Sequence, residues 1–238
     1  MAAPKITLYF DIVSPFAHIA FHILRNSPTF SKCDLTFIPI FISDLLKACG
    51  NISPIKIKNK AEWIEIERRR WAHYFSVPMS EQKPEGFPHL TLGVQRALVA
   101  VSQKAPEKLA PATEAIWKEY WVKGDGKATQ REGFIPILEG VLGEAETKAV
   151  VEAVRDHISY YMMQKLIIYV QASGAEVKAR LSANTQQAFD SGAFGLPWFE
   201  CTNSKGETEG FWGIDHLGQV ADFLGLDRSV EGGFRAYL

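Results

Sequence analysis

Cysteine is scarce in this 238-residue chain, and the three it has, Cys33, Cys49 and Cys201, lie far apart and make no C-x-x-C pair. An odd, scattered set excludes a disulfide framework and is expected of core thiols in a reducing compartment. The six histidines form neither H-E-x-x-H nor any paired Cys/His spacing, so no metal site is expected. A surplus of one charge is missing too: 26 basic residues face 27 acidic ones, for a net charge of -1. No bulk field therefore draws the chain to nucleic acid or to an anionic membrane. The one local run, "ERRRW" at 67–71, reads as a solvated helix face. Long apolar runs are absent as well. The longest candidate, "ISYYMMQKLIIYV", is broken by Gln164 and Lys165 and is too short to span a bilayer. A strand is expected from about Lys5, which leaves no room for a signal or transit peptide. These absences describe a soluble intracellular protein, with the cytoplasm as the expected compartment.

What is present is an ordinary globular composition, 47% hydrophobic and 22% charged, long enough for one large domain or a domain with an insertion. "KITLYFDI" reads as a central strand, helix one follows over Pro15 to Asn26, and "CDLTFIPIF" is a second strand. Strand, helix, strand in succession suggests parallel strands. From about Ala61 to Ala172 the pattern is helical. Val94, Ala97, Leu98 and Val101 form one stripe, and Leu109, Ala112, Ile116 and Tyr120 another. Afterwards "AEVKARLSANTQQAFDSG" is a helix stopped by Gly192, and "LPWFEC" and "TEGFWG" flank a turn as a hairpin. "DHLGQVADFLG" closes the chain as a helix, with Asp215 as cap and Gly225 as stop. The expected fold is therefore α/β, a thioredoxin-like domain with an inserted all-helical domain. Residues 1–58 and 173–238 form its two parts, and 59–172 the insertion.

One short stretch raises a chemical question. In "LYFDIVSPFAHIAFHIL" an apolar strand hands over to a helix at Ser14-Pro15. Serine before proline is a common helix start, the serine capping and the proline at the first helical position. The backbone N–H groups there have no intrahelical acceptors, and the helix dipole makes the point electropositive, so an anion is stabilised there.

Four segments in this order, "YFDIVSPFAHIAF", "DLLKACGN", "NTQQAFDSGAFGLPWF" and "FWGIDHLGQVADFLG", make the chain similar to kappa-class glutathione transferases. That family is close to 2-hydroxychromene-2-carboxylate isomerases and to periplasmic disulfide oxidoreductases. The resemblance covers nearly the whole chain. It implies a glutathione transferase that activates the glutathione thiolate and conjugates it to a hydrophobic electrophile, with peroxidase activity alongside. It also implies a role in detoxification, a homodimer, and the mitochondrion or peroxisome as further compartments, although "AYL" at the C-terminus does not match the family's peroxisomal tripeptides. Where the oxidoreductases carry C-x-x-C, this chain has Ser14-Pro15-Phe16-Ala17. Serine and alanine supply neither an attacking nor a resolving thiol, so thiol exchange is the weakest reading.

By resemblance Ser14 is the catalytic residue, its hydroxyl donating to a glutathione sulfur. Lowering a thiol pKa from about 8.5 to about 6.5 takes roughly 2.7 kcal/mol, which one hydrogen bond to a charge plus the dipole supplies. Pro197 matches the cis-proline of thioredoxin-like proteins, which would leave the Leu196 backbone to pair with glutathione by strand addition; otherwise it simply begins a strand. Asn51 matches an asparagine near the ligand, or is a turn residue of "GNISP". Lys60 matches a base meeting the glycine carboxylate, or is exposed beside Lys56 and Lys58. Asp215 matches an acid pairing with the γ-glutamyl amine and is also the expected cap of the last helix. Ile214 stands where the family has serine, so only its backbone N–H is left for the γ-glutamyl carboxylate. Trp63, Trp71, Tyr74 and Phe75 read first as core and second as an electrophile wall. Two other functions fit the same residues: glutathione-dependent isomerisation, and non-catalytic binding of glutathione or a hydrophobic ligand.

Overall fold

The computed structural model of the protein describes residues 2–154 and 164–230. The C-terminal "AYL" lies outside these residues, as does half of the apolar run at 158–170. Four strands make one sheet in the order β2-β1-β3-β4. They are β1 (Lys5–Phe10), β2 (Asp34–Pro39), β3 (Trp198–Thr202) and β4 (Thr208–Trp212). β1 and β2 run parallel, with Lys5 opposite Asp34 and Phe10 opposite Pro39. β3 is antiparallel to β1 with Tyr9 opposite Trp198, and β4 antiparallel to β3 with Trp198 opposite Trp212.

β1 is central and buried on both faces, so its apolar residues split by strand alternation. Ile6, Leu8 and Phe10 join the larger core with α1 (Pro15–Asn26), whereas Tyr9 joins a smaller one with Leu196 and Trp198. Between β2 and β3 the chain forms α2 (Ile42–Ala48), α3 (Lys60–Tyr74), α4 (Leu92–Lys104), α5 (Leu109–Trp117), α6 (Arg131–Leu142), α7 (Glu144–Ala153) and α8 (Gln164–Asp190). A wide π turn, Lys118–Val122, continues α5. The stripes expected on α4 and α5 are both buried. α8 is one helix through position 172 and ends two residues before Gly192, whose φ is +100°. No helix of the described residues is long and apolar enough to cross a membrane.

Four expectations need correction. The closing helix α9 (Leu217–Phe223) is not capped by Asp215: a 3-10 turn, Ile214–His216, precedes it, and Asp215 makes no capping bond from inside that turn. Trp63 and Tyr74 are not core, being 54% and 42% exposed, because α3 buries only Arg68 and Ala72. "ERRRW" is likewise not wholly solvated. Arg68 is fully buried, ion-paired to Glu65 and donating to the Ser80 and Glu81 carbonyls while its guanidinium lies over the Trp121 ring. An arginine that spends its donors on carbonyls and a carboxylate can sit inside, and helical periodicity does not reveal it. Of the thiols only Cys201 is a core residue; Cys33 and Cys49 are half-buried.

Candidate functional site at one edge of the sheet

The register brings four chain segments to one edge. β1 and β2 end there, β3 begins there, and the end of β4 pairs with that beginning. Ser14 follows β1, Leu196-Pro197 precede β3, and Ile214-Asp215 follow β4. The Pro197 carbonyl accepts from the Gly213 N–H at 3.1 Å, which ties the last two segments together. Asn51 is exposed, and its Nδ2 donates to the Phe194 carbonyl at 3.0 Å, which ties in the loop after α2. Lys60 stands apart: exposed at the first turn of α3, it makes no side-chain hydrogen bond or ion pair among the described residues.

Ser14 is the N-cap of α1, in extended conformation, with Pro15 next. Its Oγ accepts the Ala17 N–H at 3.2 Å. The hydroxyl proton is left over, and neither it nor the Phe16 N–H meets an acceptor among the described residues. Ser14 is only 6% exposed, so its hydroxyl has little access to water, whereas Phe16 is half-buried. Capping and donation are thus compatible in one residue.

The Leu196–Pro197 peptide bond is cis. Among the described residues, no hydrogen bond engages the Leu196 N–H or C=O. Gly195 lies so close to Trp212 that a Cβ there would sit 2.7 Å from its indole nitrogen. Phe194 packs against Trp212, ring centroids 5.0 Å apart. Ile52, Phe194 and Trp212 leave exposed apolar surface beside the Asn51 bridge, which sequence periodicity had not singled out. Ile214 is buried, and its side chain belongs to the larger core. Asp215 is half exposed, with His216 Nδ1 3.4 Å from its Oδ1.

Beneath Ser14 lies a fully buried carboxylate, Asp11. Its two oxygens accept the N–H groups of Val13 (3.1 Å) and Ile42 (3.0 Å). Burial raises its pKa to about 6, against the opposing pull of the Ile42 N–H, Thr91 and the Val13 N–H. One turn along α1, His18 is pushed down to about 4, chiefly by burial, and its Nε2 is 3.1 Å from the Pro78 carbonyl. Burial also lifts the Cys33 thiol to about 11, which makes it a poor nucleophile. The described residues contain no cluster of side chains able to hold a metal ion.

Residues 5–153 match the DSBA-like thioredoxin domain, and the chain belongs to that family. The kappa-class resemblance extends along nearly all of it. Glutathione S-transferase kappa 1 of Rattus norvegicus is 27% identical over 227 residues, covering 94% of this chain and 92% of the rat protein. The 2-hydroxychromene-2-carboxylate isomerase of Sphingobium xenophagum is 24% identical over 223 residues, covering 92% and 97%. A solved 2-hydroxychromene-2-carboxylate isomerase superposes with a TM-score of 0.67 at 20% identity, over 93% of this chain and 94% of that one.

Proposed function

We propose that the protein is a glutathione transferase of the kappa type, with Ser14 as the residue that holds the thiolate. The observation carrying this reading is the unspent donor pair at the mouth of α1: the Ser14 hydroxyl proton and the Phe16 N–H. A thiolate arriving there gains a charge-assisted hydrogen bond and the positive end of a 12-residue helix. Leu196 offers an N–H and C=O, neither bonded among the described residues, to an extended tripeptide. Asn51, the Ile214 N–H, Asp215 and Lys60 then contact its two ends. The acceptor is an apolar electrophile received on Ile52, Phe194 and Trp212, and detoxification is the physiological role. Conjugation needs little beyond a pre-ionised sulfur held against it. A homodimer, an intracellular setting and the division at 58 and 172 belong to the same reading.

Thermal melts with and without glutathione test binding. At a hundred times the dissociation constant, stability should rise by about 2.7 kcal/mol. Ser14→Ala should then keep most of that binding but lose roughly 10- to 150-fold in turnover of an aryl halide, the worth of one hydrogen bond to a charge. No thermal shift at millimolar glutathione would sink the reading. Isomerisation uses the same thiolate, and the isomerase aligned over 92% of the chain favours it as a second reading. Turnover that leaves the glutathione pool intact would select it, and tight binding without any turnover would leave a binding protein.

A further inference from the structure

The turn that leads into Ser14 is held by residues far away in the chain. Trp117 and Trp121 both donate their indole N–H to the Ile12 carbonyl, at 3.1 and 3.0 Å. Both rings are fully buried; Trp117 ends α5, and Trp121 lies within the π turn that continues it. The other end of the same peptide unit, the Val13 N–H, is bound by Asp11. The next N–H, that of Ser14, donates to the Asp11 carbonyl at 3.0 Å. Gln95 secures the flanking strand ends, its Nε2 donating to the Phe10 and Ile40 carbonyls at 3.0 and 2.6 Å. A carbonyl in a turn is ordinarily satisfied by its own neighbourhood or by water. Here both acceptor positions of Ile12 are filled by tryptophans more than 100 residues away. Two buried donors on one oxygen fix its direction as well as satisfying it, because moving it would strand an indole N–H in the core.

We propose that Trp117 and Trp121 are positioning residues: by clamping the Ile12–Val13 peptide unit against Asp11 they set where the Ser14 hydroxyl points, and so how far a bound thiol is ionised. This rests on the glutathione reading. The helical segment between β2 and β3 would then tune the nucleophile through the floor of the site, in addition to any contact with the acceptor.

The test uses Trp117→Phe and Trp121→Phe in the intact protein, singly and together, since phenylalanine keeps a ring and removes the N–H. Two quantities are read: the apparent pKa of bound glutathione, from its thiolate absorbance against pH, and the dissociation constant of S-methylglutathione, which has no thiol to ionise. The double variant is expected to raise the thiol pKa by about one unit, with turnover at neutral pH about tenfold lower, while S-methylglutathione binds as before. If the double variant does not fold, the single variants decide: each retains one donor, and a raised thiol pKa in either is the expected result. An unmoved thiol pKa in the folded variants overturns the inference, as does S-methylglutathione affinity that falls in step with turnover, which would mean general loosening. Wild-type protein that binds glutathione without lowering its pKa would overturn the glutathione reading as well. A wild type that lowers it and variants that match it would overturn only the tryptophan clamp.

Discussion

The floor and the rim of the candidate site share one sheet edge but are built differently. On the floor, Asp11 accepts from the Val13 and Ile42 N–H groups and the Ile12 carbonyl accepts from Trp117 and Trp121, all in the interior or at its margin. On the rim, Asn51, Lys60 and Asp215 are largely exposed, and their bonds are few: Asn51 to Phe194 and Ile52, Asp215 near His216. Chemistry needs a hydroxyl fixed within a fraction of an ångström in a dry place, and only a packed network supplies that. Recognition of a small charged peptide tolerates looser parts, each worth about a kcal/mol or less when exposed. Substitutions on the floor should therefore alter folding and chemistry together, and substitutions on the rim should alter binding alone.

The largest expected effect lies in Gln95. Replacing it with leucine leaves the Ile40 carbonyl buried without a donor among the described residues, at about 1–3 kcal/mol, and removes one of two bonds to the Phe10 carbonyl, which keeps the Ile40 N–H, at about 1 kcal/mol; the unfolding free energy should fall by roughly 2–4 kcal/mol. Denaturant unfolding measures this. A loss under about 1 kcal/mol would mean that water replaces the amide and that the floor is less closed than its burial indicates.

Asp11 gives the next effect, visible as a pH dependence. Its folded pKa of about 6 is above the ordinary carboxylate value of 3.8. It therefore contributes stability below about pH 4 that is lost as pH rises to about 6, on the order of 3 kcal/mol. His18 works the other way. Its folded pKa of about 4 is below the ordinary imidazole value of 6.5, so its contribution is present above about pH 6.5 and lost on acidification to about pH 4. The two slopes oppose each other in one window. Asp11→Asn should unmask His18: between pH 4 and 6 the variant gains stability with rising pH, and wild type gains much less. Parallel curves for the two proteins would show that Asp11 is already ionised at low pH.

How much of this was legible follows the same division. Ser14 was readable because capping is local: a hydroxyl before a proline at a strand–helix junction is a pattern of neighbours. The stripes of α4 and α5 were readable for the same reason, since burial repeats with the helix turn. Trp117 and Trp121 were not singled out, because nothing near them in sequence names the Ile12 carbonyl as a partner for their indole N–H groups. Arg68 was misread for that reason, inside a run of charges whose other two arginines are exposed. Asp11 did carry a signal, a lone acid closing an apolar strand, although its partner Ile42 became visible only when β2 was laid beside β1. Asp215 failed as a cap because it sits inside a 3-10 turn, which periodicity does not register, and His216 takes the cap position of the helix.

On the rim, Asn51→Ala removes the Nδ2 bond to the Phe194 carbonyl and any contact the amide makes to a bound tripeptide. One neutral hydrogen bond is worth about 1 kcal/mol, so glutathione should bind about fivefold more weakly with turnover at saturation nearly unchanged. Isothermal titration beside steady-state kinetics separates the two. A fall in kcat larger than the fall in affinity would move Asn51 from the rim to the floor.

Lys60 should do least, and the reason is geometric. Its side chain is exposed at the start of α3 and has no partner among the described residues to fix it, so an arriving carboxylate must order a long flexible chain against water. The Coulomb term that remains is screened over about 8 Å at physiological salt. Lys60→Ala should therefore weaken glutathione binding by no more than about threefold at low ionic strength, and the difference should vanish as salt is added. Binding measured along a salt series settles it. If the loss matched that of Asn51→Ala and persisted in high salt, Lys60 would be making a fixed, desolvated contact, and the division between a rigid floor and a loose rim would not hold at the glycine end of the tripeptide.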